Sequence, residues 1–147
     1  MPTVISEALV NAPLEKVYAV AKDVAVYPEF MEDVDSIEIL EKTPERQVSK
    51  WVGNIKEFNR KIRWTEEDFW NDEEHTCFFQ QTEGDFSLYK GTWAFKEQDG
   101  GTVATLTLEY DYNVPLIGNL IKGLLKKKTQ ANTDGIVSAI KMRAESV

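Results

Sequence analysis

The sequence predicts an α+β fold: a bent antiparallel sheet of about seven strands wrapped around one long C-terminal helix, with two short helices after the first strand. Three observations carry that expectation. Apolar residues recur with a period of two in successive stretches between Val34 and Val114. Turn residues separate those stretches, and after Pro115 the period lengthens to that of a helix.

Thr3 to Val10 mixes β-branched and polar residues in near alternation and makes the first strand. Asn11-Ala12-Pro13 starts a helix, with Pro13 at its first position and Asn11 or Ala12 as its cap. Glu15 meets the positive end of the helix dipole. Leu14, Val17, Tyr18 and Ala21 share one side of this helix, which fails near Asp23. A second short turn runs to Phe30 through Tyr27-Pro28, where the proline biases Tyr27 away from helical geometry. Two clipped helices suit a wall closing one end of a sheet, which a continuous helix would overshoot.

Strands follow at Ser36–Glu41, with Ile37 and Ile39 opposite Leu40, and at Gln47–Ile55, with Trp51 opposite Val48 and Val52. Thr43-Pro44 turns the chain between them. From Phe58 the positions Phe58, Arg60, Ile62 and Trp64 alternate until the phase drifts, and adjacent Phe69 and Trp70 suggest a bulge or strand end. Asn71-Asp72 and Thr82-Glu83-Gly84-Asp85 are turns around a strand at Glu74–Gln81. Leu88–Lys96 places Tyr89, Gly91, Trp93 and Phe95 on one face, and Asp99-Gly100-Gly101 is a hairpin signal. Thr102–Val114 alternates most cleanly, Leu106, Leu108, Tyr110 and Tyr112 against Thr105, Thr107, Glu109 and Asp111, as in a sheet with one covered face. The final helix runs to about Glu145. Its stripe is Ile117, Leu120, Ile121, Leu124 and Leu125, roughly continued by Ile136, Ala139 and Ile140. A helix of this length spans about 45 Å and crosses the sheet. With no repeat or linker, residues 1–147 are expected to form one domain.

Composition narrows the function classes. Acidic residues outnumber basic ones 25 to 17, for a formal charge of −8, which argues against a nucleic-acid partner. One cysteine, Cys77, makes no internal disulfide and suits a reducing compartment. MPTVISEALV carries no basic leader or long apolar run, so a cytoplasmic location is expected. The single histidine, His75, follows Asp72-Glu73-Glu74 at a turn, which speaks against nucleophilic triad chemistry. Neighbouring acids in DEEH and in Glu66-Glu67-Asp68 point to opposite faces of a strand, so no metal site is assigned and no cofactor is expected.

Sixteen aromatic residues, four of them Trp, are a heavy load for this length. One helix over a wide sheet leaves volume that rings can line. Tyr27, Phe30, Trp51, Trp64 and Phe79 are candidate ligand-binding residues, with Tyr89, Trp93, Tyr110 and Tyr112. Leu106 and Leu108 on the last strand, and Leu120, Ile121 and Leu124 on the helix, extend the lining. Lys128 and Asn132, at i and i+4, are polar intruders beside the helical stripe, and Asn132 is a candidate partner for a ligand carbonyl or hydroxyl. Glu66 shares the face of Trp64 and is the candidate proton donor if burial raises its pKa. LIGNLIKGLLKKK, residues 116–128, joins apolar bulk to four lysines and is a candidate for transient contact with an anionic membrane surface or a protein partner.

The run NAPLEKVYAVAKDVAVYPEF, with KIRWTEEDFW, EGDFSLYKGTWAF and the long helix bearing Asn132, resembles the START-like superfamily (SRPBCC, helix-grip fold). Within it the chain is similar to the polyketide cyclase/dehydrase and coenzyme Q-binding branch. The resemblance implies a hydrophobic ligand such as a lipid, isoprenoid quinone or polyketide-like aromatic, or else cyclase/dehydratase activity, or a partner-binding chaperone using the same groove. Cyclases of the superfamily use a cavity arginine; here Arg63 lies opposite Trp64, while Arg60 shares its face.

Overall fold

The computed structural model describes residues 3–55, 60–112 and 119–146, apart from the side chains at 55, 60, 112 and 119–122. In chain order the elements are β1 (Thr3–Val10), α1 (Leu14–Lys22), a 3₁₀ helix (Val24–Glu29), β2 (Val34–Lys42), β3 (Arg46–Ile55) and β4 (Arg60–Asn71). There follow β5 (Thr76–Gly84), β6 (Phe86–Gln98), β7 (Gly101–Tyr112) and α2 (Asn119–Glu145). The strands form one antiparallel sheet in the order β1-β7-β6-β5-β4-β3-β2. This is the architecture the sequence predicts.

The order explains the clipped helices. β1 and β2 are consecutive in sequence yet lie at opposite edges of the sheet, so the segment between them must carry the chain across its width. α1 packs on β6, β7 and α2, and the 3₁₀ helix packs on β2. The break at Asp23 (φ −85°, ψ 66°) redirects the chain between those contacts. Pro13 occupies the cap position, not the first helical one, and its carbonyl accepts from the N–H groups of Lys16 and Val17 at 3.0 and 3.1 Å. Pro28 stays inside the 3₁₀ helix instead of ending it.

α2 packs chiefly on β1 and also on β7. Among its described side chains Thr129, Thr133, Val137, Ile140 and Ala144 are buried, spaced three or four apart, and they meet a core that includes Val4, Val10, Val17, Ala104 and Tyr110. The two threonine hydroxyls satisfy themselves by donating to the carbonyls of Leu125 and Thr129 one turn back, at 2.8 and 2.7 Å. The buried stripe is therefore displaced from the one expected: Leu124 is exposed (47%), while Ile136 and Ala139 are only partly buried.

β4 also departs from expectation. Its phase never drifts: Ile62, Trp64, Glu66, Asp68 and Trp70 all face inward, and Phe69 lies on the outer face, stacked on Phe78 at 6.4 Å. The register shift sits instead beside Thr65/Glu66, where β5 carries one extra residue. Asp99 and Gly100 have φ of 50° and 81° and close a two-residue hairpin, the geometry Asp-Gly supplies.

Gly91 marks a close approach. An added Cβ would enter the carbonyl oxygen of Thr107 and lie 2.6 Å from the Phe79 ring, whereas one at Gly135 on α2 would meet nothing within 4 Å. Gly91→Ala is therefore expected to cost about 3 kcal/mol or more. Gly135→Ala should stabilise by roughly 0.5–1 kcal/mol through helix propensity. Denaturant melts of the two variants check both signs.

Candidate ligand cavity

Between α2 and the β2–β3–β4 side of the sheet lies a cavity of about 520 Å³. Its sheet wall is a set of touching rings. Trp51 on β3 stacks on its cross-strand neighbour Trp64 (5.4 Å, 19°), and Trp64 meets Phe86 edge-on and Tyr89 at 5.5 and 5.3 Å. Ile62 and Leu108 fill in around them, and Gly53 keeps the floor low. The helix wall is Thr129, Asn132, Thr133, Ile136 and Ala139, a face whose mostly small side chains leave the space open. Phe30, Glu32, Asp33, Met142 and Arg143 also line it, with the Arg143 guanidinium 5.1 Å over the Phe30 ring.

A second chamber, about 40 Å³, lies deeper. It shares Trp51, Tyr89 and Ile136 with the outer cavity and is lined further by Tyr27, Glu66, Asp68, Trp70, Cys77, Phe79, Trp93 and Leu106. Glu66 and Asp68 are 5% and 2% exposed and hydrogen-bonded to each other, and Trp64 Nε1 donates to Glu66 Oε1 at 2.8 Å. Burial raises both carboxyl pKa values, and Asp68 raises that of Glu66 further by like-charge repulsion. Burial likewise pushes up the Tyr27 hydroxyl and the Cys77 thiol.

The expected site residues are thus divided. Phe30, Trp51, Trp64, Tyr89, Leu108 and Asn132 line the outer cavity. Tyr27, Glu66, Phe79, Trp93 and Leu106 line the inner chamber. Tyr110 is buried in the core and lines neither space. Lys128 is half-buried and Leu124 exposed, and neither lines a cavity. The side chains of Tyr112, Leu120 and Ile121 lie outside the described residues, as do residues 116–118 and the Lys122 side chain of the basic segment; Lys126 and Lys127 are exposed. Arg63 faces outward, as its phase requires, and the Arg60 side chain is outside the described residues. His75 sits at a turn (φ 54°) against Tyr18, with Nε2 2.7 Å from Glu15 Oε1, away from both chambers. Among the described residues no cluster of three or more metal-ligating side chains occurs, and no helix is long and apolar enough to cross a membrane.

Three of these rings spend their polar groups inside the protein. The Tyr27 hydroxyl donates to the Ala21 carbonyl, Trp51 Nε1 donates to Ser49 Oγ at 2.7 Å, and Trp64 Nε1 is held by Glu66. Asn132 differs, since its buried Oδ1 has no partner in the protein. Sequence reasoning missed Asn54, Thr133, Gly135, Ser138 and Arg143 because small and polar residues carry no apolar period.

A family model described as polyketide cyclase/dehydrase and lipid transport matches residues 10–137. The chain belongs to that family. Among solved structures, the protein TTHA0849 from Thermus thermophilus is 35% identical over 97% of each chain, with a TM-score of 0.92. An aromatase/cyclase from Streptomyces sp. R1128 shares 20% identity over 98% of this chain and 93% of its own, TM-score 0.89. A START superfamily protein from Mycobacterium smegmatis shares 17% over 97% of each, TM-score 0.80. No curated protein is significantly similar in sequence. This polyketide cyclase/dehydrase and lipid transport family member thus has the START-like helix-grip fold.

The acid pair gives the fold a pH dependence of definite sign. The folded Glu66–Asp68 pair holds a proton more tightly than an unfolded chain, whose carboxyls release theirs at about pH 4. The stability they contribute is fully present below that range and is lost as pH rises through their raised folded values. Glu66→Gln keeps an oxygen for Trp64 and gives Asp68 an amide donor. Its melting temperature should match wild type at about pH 4 and exceed it at about pH 8. Parallel melting curves across that range would mean that the carboxyls are ionised in the folded protein.

Proposed function

We propose that this protein binds a hydrophobic small molecule in the outer cavity, as a carrier or sequestering protein for a lipid, isoprenoid quinone or polyketide-like aromatic. The observation that carries the reading is a 520 Å³ space walled by Trp51, Trp64, Phe86 and Tyr89, with the unpartnered Asn132 oxygen among its polar groups. The volume falls within the roughly 300–1,000 Å³ of small-molecule sites. Burying apolar ligand surface contributes about 25 cal/mol per Å², before the costs of immobilising the guest. With the Trp51 and Trp64 N–H groups engaged inside the protein, orientation falls to Asn132.

A second reading, cyclase/dehydratase-type catalysis, is favoured by one observation: Glu66 is buried, and burial beside Asp68 raises its carboxyl pKa well above the usual range. It borders the inner chamber, so a substrate carbonyl would have to pass Tyr89 to reach it.

Menadione, a small quinone, tests the carrier reading. It should quench tryptophan emission saturably, because Trp51 and Trp64 form the wall. Ala139→Phe, which puts a ring into the cavity, should weaken binding by roughly tenfold or more while the melting temperature stays near wild type. Quenching that is linear in menadione, or unchanged by Ala139→Phe, would defeat the proposal. Mass spectrometry of material extracted from freshly purified protein identifies the natural guest, and its conversion to a product on incubation would favour the enzyme.

A further inference from the structure

Several polar groups around the inner chamber are engaged within the protein. The Tyr27 hydroxyl is used by Ala21, the Cys77 thiol points to the Phe78 carbonyl at 3.7 Å, and Glu66 is engaged by Trp64 and Asp68. Two atoms remain without a protein partner: Asp68 Oδ1 and Trp70 Nε1. Both residues line the chamber, and they are 2% and 5% exposed. One orphan is an acceptor on a carboxyl and the other is a donor. Leaving either unmet in a dry interior is costly, so both atoms call for a partner of complementary chemistry.

The two orphans define their complement. An ammonium group would serve Asp68 but leave the indole N–H facing a cation. An ether or ketone oxygen would accept from Trp70 but offer no proton to Asp68. A hydroxyl does both. About 40 Å³ holds one oxygen with its proton, since a water occupies about 30 Å³ of liquid, but it does not hold a ring. The rest of such a molecule must then lie in the outer cavity, from which the chamber is separated by the side chains of Trp51, Tyr89 and Ile136. Tyr89 is half-buried and borders both spaces.

We propose that Asp68 and Trp70 form a hydroxyl-recognition subsite at the deep end of the cavity, selecting phenolic or alcoholic ligands that enter hydroxyl first. The subsite rests on the carrier reading of the outer cavity and adds a chemical class to its ligand. Glu66 acts as a positioning residue, holding the Asp68 carboxyl through their mutual hydrogen bond.

The test compares 2-naphthol with 2-methoxynaphthalene by titration calorimetry; both carry the same rings, and only the first can donate. Wild type should bind 2-naphthol roughly tenfold or more tighter. Trp70→Phe removes the indole donor and Asp68→Val removes the acceptor. Asp68→Val should bring the two probes within roughly twofold of each other while methoxynaphthalene affinity stays unchanged, which also shows that the variant is folded, and Trp70→Phe should weaken both probes. Equal affinities in wild type, as expected if the chamber holds a trapped water only, overturn the subsite and leave the carrier reading standing. Discrimination that survives Asp68→Val also overturns it, placing hydroxyl recognition elsewhere, with Asn132 the first suspect. Failure of both probes to bind wild type removes the subsite together with the cavity reading beneath it.

Discussion

One helix cannot cover seven strands. Strands lie about 4.8 Å apart, so the sheet is roughly 29 Å wide across its ladder, while a helix with its side chains is about 10–12 Å across. α2 resolves the mismatch by packing at one end, on β1 and its neighbour β7, with Thr129, Thr133, Val137, Ile140 and Ala144 as the contact row. Small residues at that seam let the helix sit close. The opposite end, β2 to β4, must then be closed by the bend of the sheet and by the segment around Phe30–Val34, and what is left between is the cavity. The void follows from the topology.

That geometry also accounts for where aromatic mass is concentrated. Rings are needed where the helix does not reach, because only a large side chain can cover the inner face of a strand without a partner element. Trp51, Trp64, Phe86 and Tyr89 support one another through ring contacts between 4.7 and 5.5 Å. Each such pair is worth about 0.5–1.5 kcal/mol beyond area burial, so the wall can stand without a guest pressing on it. Below them, β4 continues the inward phase with Glu66 and Asp68, two groups that only a shared proton makes tolerable at that depth.

Strand and helix periods made the order of elements legible, together with Asp99-Gly100 as a hairpin and the clipping at Asp23. Two errors have one cause. The inward row of β4 seemed to drift because Glu66 and Asp68 stand where the pattern asks for apolar residues. The stripe of α2 was drawn through Leu124 because Thr129 and Thr133 bury hydroxyls that satisfy themselves on the preceding turn. Hydrophobic periodicity assumes that polar means outside, and these residues break that assumption where the interior has its own hydrogen bonds. The aromatic wall could be anticipated from composition. The division into an outer and an inner chamber could not, since it depends on which side of Trp51 and Tyr89 each ring falls.

The same hydrogen bonds decide how selective the cavity can be. An apolar wall discriminates weakly, because one more or one fewer methylene changes binding by only about 1–3 kcal/mol. Had Trp51 and Trp64 aimed their N–H groups into the open cavity, the wall would have presented donors at several points and restricted the poses of a guest. They are instead turned onto Ser49 and Glu66, leaving a smooth aromatic surface that accepts many shapes. Selectivity then falls to the polar groups the protein leaves unmet, Asn132 in the outer cavity and the Asp68–Trp70 pair in the inner chamber. A binding site made this way separates its tasks: ring area holds the guest, and the few orphaned atoms determine which guest is held and which end goes in first.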